Sequence, residues 1–126
     1  MDTRLGLLLA FSIALSAQPA AAQAPAGVTP ALITQGDSIF HGKGNCYACH
    51  GANAEGTVGP NLTDAEWLHS DGSYDAIVKQ VTTGVPKEQS KSGIVMPPRG
   101  GATITDDEVK AVAAYVYSLS HKKTGA

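Results

Sequence analysis

Apolar positions recur at helical spacing in three stretches of the chain, and nowhere do they alternate as a strand would. In the first stretch, Leu32, Ile33, Ile39 and Phe40 recur around Gly36, with Thr29 as N-cap and Pro30 at the first helical position. That helix should end near His41-Gly42. In the second, Tyr74, Ile77, Val78 and Val81 stand at i, i+3, i+4 and i+7; Ser73 or Asp71 can cap the start and Gly84 can close the end. The third is the best specified. Thr105 and Glu108 have capping-box spacing, Asp106 and Asp107 suit the positive helix N-terminus, and Val109, Val112, Val116 and Leu119 make one stripe, with Lys122 and Lys123 near the C-terminus. Thr63 and Glu66 share the capping-box spacing and predict one short turn of helix carrying Trp67 and Leu68. Residues 51–60 and 85–101 hold clustered glycine and proline without a period and read as loops. The pattern predicts an all-α chain of three main helices joined by long loops.

The start of the chain is of another kind. Arg4 precedes an uncharged apolar run from Leu5 to Ala17, and Ala20-Ala21-Ala22 offers a small-residue cleavage site, as in a secretory signal. The expected organisation is residues 1–22 as signal peptide, 23–28 as a flexible mature N-terminus, 29–121 as one domain and 122–126 as a tail. The apolar run is too short to span a bilayer and no other long one follows, so the mature chain should have no membrane span and should be periplasmic. With 126 residues there is room for one small domain, which excludes a multidomain enzyme. A net charge of −2 argues against a basic surface for nucleic acid. Exported domains this small commonly need a disulfide framework or a bound cofactor to complete the core. The only two cysteines, Cys46 and Cys49, are too close in sequence to staple distant segments.

Cys46-Tyr47-Ala48-Cys49-His50 has the C-x-x-C-H form through which c-type haem is attached. Residues three apart share one face of a helical turn, so both thiols can reach one edge of a porphyrin, while the next residue is turned by about 100° and can offer its imidazole to the iron. Other uses of this pentapeptide fit less well. A thioredoxin-type redox pair follows a strand in a βαβ pattern, which is missing, and zinc would need further ligands from His41, His69 and His121, which lack metal-site spacing. A chance occurrence is the third alternative. For the sixth iron position the candidate is Met96, the one methionine beyond the signal segment. The following Pro97 restricts it to an extended backbone, and a whole helix separates it from His50, so its loop could close over the opposite haem face. A methionine filling the core is the plain alternative. His69 and His121 compete as ligands, and His41 lies too near the attachment turn.

Gly36 and Phe40, Cys46 to His50, Gly59-Pro60-Asn61-Leu62, Met96-Pro97 and Tyr115 occur in the order found in monohaem class I cytochromes c, and from Thr29 to Ser120 the sequence resembles that family. The resemblance implies a small cytochrome c fold, three main helices plus long loops wrapped around one covalently bound haem c, with His50 and Met96 as iron ligands. It further implies that the Pro60 carbonyl accepts a hydrogen bond from the His50 ring, as against an ordinary loop proline, and that Gly36 lets the first helix approach the last near Tyr115. Trp67 resembles the aromatic after Pro-Asn-Leu in short bacterial cytochromes, including domains of terminal-oxidase subunits. There it packs on the haem edge or donates to a propionate, with simple core packing as the alternative. Arg99 is a candidate for pairing with a propionate or a solvated arginine. The lysine-ringed haem edge of mitochondrial cytochrome c has no counterpart here; Lys87 and Lys91 form a small docking spot or are merely solvated.

The implied activity is periplasmic electron transfer without catalytic residues. The expected partners are redox proteins: a periplasmic dehydrogenase, an oxidase or another cytochrome. One alternative is a cytochrome subunit or dedicated donor or acceptor of such a dehydrogenase or terminal oxidase. Another is a haem enzyme or gas sensor in which Met96 leaves the iron, for which no distal histidine or arginine is evident.

Overall fold

The computed structural model describes residues 24–122. The expected signal peptide, Gln23 and tail residues 123–126 lie outside them. Helix α1 spans Pro30–His41, and the Thr29 hydroxyl caps it by accepting the Leu32 N–H at 3.2 Å. A single turn, α2, spans Tyr47–His50. Helix α3 covers Tyr74–Thr83, capped by Ser73, and ends where the Gly84 N–H reaches the Gln80 carbonyl. Helix α4, Asp106–Ser120, has both halves of its capping box: Glu108 N–H donates to the Thr105 hydroxyl, and Thr105 N–H to the Glu108 carboxylate.

Helices α1 and α3 both pack on α4. The approach of α1 is so close that a Cβ at Gly36 would lie 1.9 Å from the Ala111 carbonyl oxygen, so only glycine fits. Beside that crossing, Phe40 is fully buried and meets Tyr115 edge-on at 5.3 Å. Phe40, Ile77, Val81, Val109, Val112 and Val116 belong to the core. From α3 the Tyr74 hydroxyl donates to the Lys110 carbonyl at 3.2 Å, which ties that helix to α4.

Two segments differ from the sequence pattern. No helical turn forms at Thr63, because Asn61 Oδ1 accepts both its N–H and its hydroxyl, at 2.7 and 2.6 Å, and Asp64 likewise takes the Glu66 N–H. These side chains give the backbone local partners that replace a helix. Residues 85–101 are more ordered than a featureless loop. They contain two 3₁₀ turns, Lys87–Gln89 and Pro98–Gly101, and an isolated antiparallel bridge between Val85 and Met96.

Candidate functional site

The α2 turn hangs from α1 by the Cys46 N–H, which donates to the Phe40 carbonyl at 3.1 Å. Both thiols are free; Cys46 is half-buried and Cys49 exposed. Burial pushes the Cys46 thiol up to about 11. Thiol–disulfide centres rely on the opposite shift, toward an accessible thiolate, which burial works against at Cys46.

His50 is buried, and its Nδ1 lies 2.9 Å from the Pro60 carbonyl. A carbonyl only accepts, so Nδ1 carries the proton and Nε2 keeps its lone pair. The ring is also wedged. Gly59 N–H donates to the Cys49 carbonyl at 2.8 Å, and a Cβ at Gly59 would press on the imidazole at 3.1 Å. Burial lowers the His50 pKa, against the opposing pull of the Pro60 carbonyl, and keeps the imidazole in the neutral form that binds metals. Nε2 makes no hydrogen bond among the described residues.

His50 and the two cysteines line a cleft of about 1050 Å³, its open mouth included, with apolar walls that include Phe40, Leu62, Ile77, Val85 and Val112. Met96 lines the same cleft and is held by its backbone. Its N–H donates to the Val85 carbonyl at 3.0 Å, and Val85 N–H returns a bond to the Met96 carbonyl at 2.8 Å. Gly84 makes this approach possible: at φ +69° it is in the left-handed region, and a Cβ there would lie 2.3 Å from the Met96 carbonyl oxygen. The sequence marked Gly84 only as a helix end. A one-residue bridge has no periodicity, so the pair of Val85 with Met96 left no pattern to read, although a glycine just before the residue that faces the methionine was the available signal.

The remaining candidates separate. Trp67 lines the cleft with its indole against Gly72, where a Cβ would be 2.1 Å from Nε1. His69 also lines it. Arg99 is not among the lining residues: its guanidinium donates to the Ile104 carbonyl at 2.6 Å and pairs with Asp106 at 2.5 Å, at the start of α4. His121 stacks on Tyr117 at the end of α4, and His41 bonds to Ala52 and Asp37 outside the cleft.

Two thiols on one turn, a neutral imidazole with a free lone pair, a thioether and an apolar cleft together fit a covalently bound haem. No cluster of three or more His, Cys, Asp or Glu suited to a bare metal ion occurs among the described residues. Comparison with known proteins points the same way. The sequence profile of the family described as cytochrome C oxidase, cbb3-type, subunit III matches residues 31–116. Over 104 residues the chain is 42% identical to the cbb3-type cytochrome c oxidase subunit CcoP of Rubrivivax gelatinosus, covering 82% of this chain and 30% of that protein. It is also 42% identical over 103 residues to subunit FixP of Rhizobium meliloti, covering 77% and 30%. The chain thus spans about 30% of the length of these relatives. Among solved structures, cytochrome cL of Methylophaga aminisulfidivorans superposes with a TM-score of 0.59 at 25% identity, over 75% of this chain and 57% of that one. Cytochrome cL of Hyphomicrobium denitrificans, 21% identical over 75% of this chain and 52% of that one, has the same fold, with a TM-score of 0.59.

Proposed function

The chain belongs to the cytochrome c family described by the cbb3-type subunit III profile and has the small class I cytochrome c fold, and from that premise we propose that it is an exported, periplasmic electron carrier with one haem c. Thioethers to Cys46 and Cys49 hold the haem, and His50 and Met96 ligate its iron. When bound, the haem supplies a single iron that alternates between ferric and ferrous states.

The chain's own residues set the conditions for that exchange. Pro60 orients His50 and makes it more basic by accepting the Nδ1–H. The Val85 bridge keeps Met96 in place, so ligation need not change with oxidation state. Apolar cleft walls and a thioether both favour the ferrous form. Electron exchange requires no proton transfer from a side chain, and no residue is assigned as catalytic. Among the described residues no helix is long and apolar enough to cross a membrane.

The observation that carries this reading is that one apolar cleft gathers both thiols, His50 and Met96, with His50 and Met96 each fixed by hydrogen bonds to backbone groups. The test is Met96→Ala. Haem should remain attached through both thiols, with one haem's added mass per chain after acid-acetone extraction. The ferric iron should become high-spin and the potential should fall. An unchanged spectrum would remove Met96 from the ligand set, and haem lost on extraction would remove the thioethers.

The relatives favour one class of partner. Both are subunits of cbb3-type oxidases, so a terminal oxidase of that type is the preferred electron acceptor, with this chain as its cytochrome subunit or dedicated donor. Co-purification with the oxidase, or oxidase turnover restored by adding the reduced chain, supports that assignment. Equal rates with unrelated acceptors favour a general carrier.

A further inference from the structure

Residues 86–95 leave the body of the protein at Val85 and return at Met96, and all of them except Ser90 are exposed. Their own backbone hydrogen bonds are local turns, from Gln89 to Pro86, Ser90 to Lys87 and Gly93 to Ser90. Among the described residues, one hydrogen bond joins this excursion to a remote part of the chain: Lys91 N–H donates to Nε2 of His69 at 3.2 Å. His69 is half-buried and lines the cleft beside Met96. Its segment has a rigid footing, because Gly72, at φ +74°, leaves no room for a Cβ against Trp67, and the Gly72 N–H is held by the Ser70 hydroxyl.

A backbone N–H can only donate, so the bond fixes the tautomer: Nε2 offers its lone pair and Nδ1 carries the proton. We infer that His69 is a positioning residue for Met96, a latch that pins the tip of the methionine loop to another segment of the cleft lining. The inference rests on the reading that Met96 is an iron ligand. Val85 holds the loop at its root, and the methionine sits at that root. For the thioether to leave the iron, the loop must open locally, and opening the tip breaks the bond to His69. The latch therefore lowers the population of the open state by about fivefold, the worth of one net hydrogen bond.

The test uses the haem-loaded protein and two readouts: the rate of carbon monoxide binding to the ferrous form, and hydrogen exchange at the Lys91 amide. His69→Leu and His69→Phe remove the acceptor by two different shapes, and His69→Gln keeps an acceptor at similar reach. Both removals should speed carbon monoxide binding and Lys91 exchange about fivefold, and His69→Gln should return both close to wild type. Unchanged rates in the acceptor-free variants, or a glutamine variant as fast as they are, would overturn the latch. Faster exchange with an unchanged carbon monoxide rate would overturn it too, since the bond would then hold the loop without holding Met96. Met96→Ala separates the two claims. If it binds carbon monoxide no faster than wild type, the ligand reading fails, whereas a fast Met96→Ala beside an unresponsive Lys91 amide sinks the latch alone.

Discussion

Both ring nitrogens of His41 face acceptors, Nε2 at 2.6 Å from the Ala52 carbonyl and Nδ1 at 2.7 Å from Asp37 Oδ1. Only the doubly protonated ring can donate to both, and the His41 pKa is accordingly raised above its usual 6.5, chiefly by the Ala52 carbonyl. The ring ties the end of α1 to the chain just beyond the haem motif. A raised folded-state pKa gives stability that is complete below 6.5 and is lost as pH climbs through the raised value. Replacing His41 by glutamine should therefore cost stability at about pH 6 and progressively less toward about pH 8. The thermal midpoints of the two proteins, followed across that range, should converge, and a gap that stays constant would discard the role. The sequence marked this residue only as a helix end and a poorly placed ligand, because its main partner is a carbonyl and carbonyls have no residue type. For Arg99 the residue type alone, a basic side chain after the methionine, could not show the contacts it makes with the Ile104 carbonyl and Asp106.

At the level of elements, two glycines hold different contacts and their substitution should have different signatures. In Gly36→Ala the new methyl group meets the Ala111 carbonyl and forces α1 away from α4. Overpacking of this kind should lower stability by about 3 kcal/mol, seen as a lower denaturant midpoint, with the Val85–Met96 bridge left in place because Gly36 makes no contact with it. In Gly84→Ala the new group both strains a left-handed residue and pushes on the Met96 carbonyl. That variant should move the reduction potential and ferric spectrum toward those of Met96→Ala. An unaltered potential would show that the bridge does not set the ligand. The helices themselves were legible from local signals, since Thr29, Ser73 and Thr105 cap within three residues of themselves and Gly84 closes α3. The turn expected at Thr63 failed because Asn61, two residues upstream, competes for the same groups. Backbone pairing across a loop depends on neither caps nor period, and Gly84 was the one sequence sign of the Val85–Met96 bridge.

At the scale of the whole molecule, α1, α3 and α4 supply part of the cleft wall and loops complete it. The residues of the haem motif were readable from spacing, but the shape of the cleft arises from contacts between distant loops and was not. Because Phe40, Ile77, Val81, Val112 and Val116 belong both to the core and to the cleft wall, cofactor attachment should supply much of the folding energy. The double variant Cys46→Ala/Cys49→Ala, prepared without haem, should lose its sharp thermal transition and bind hydrophobic dyes while retaining part of its helical circular dichroism. A cooperative transition close to that of the loaded protein would show that the helices suffice. The bridge at Val85 and Met96 has a last consequence, for inheritance. Because it joins the two ends of an excursion through main-chain atoms, and the one remote contact at the tip also comes from a main-chain N–H, the side chains in between are released from the task of keeping the methionine in place. Descendants of this gene can rewrite the exposed side chains along that excursion, and so change which protein it greets, while the electron-carrying centre behind it passes unaltered from one generation to the next.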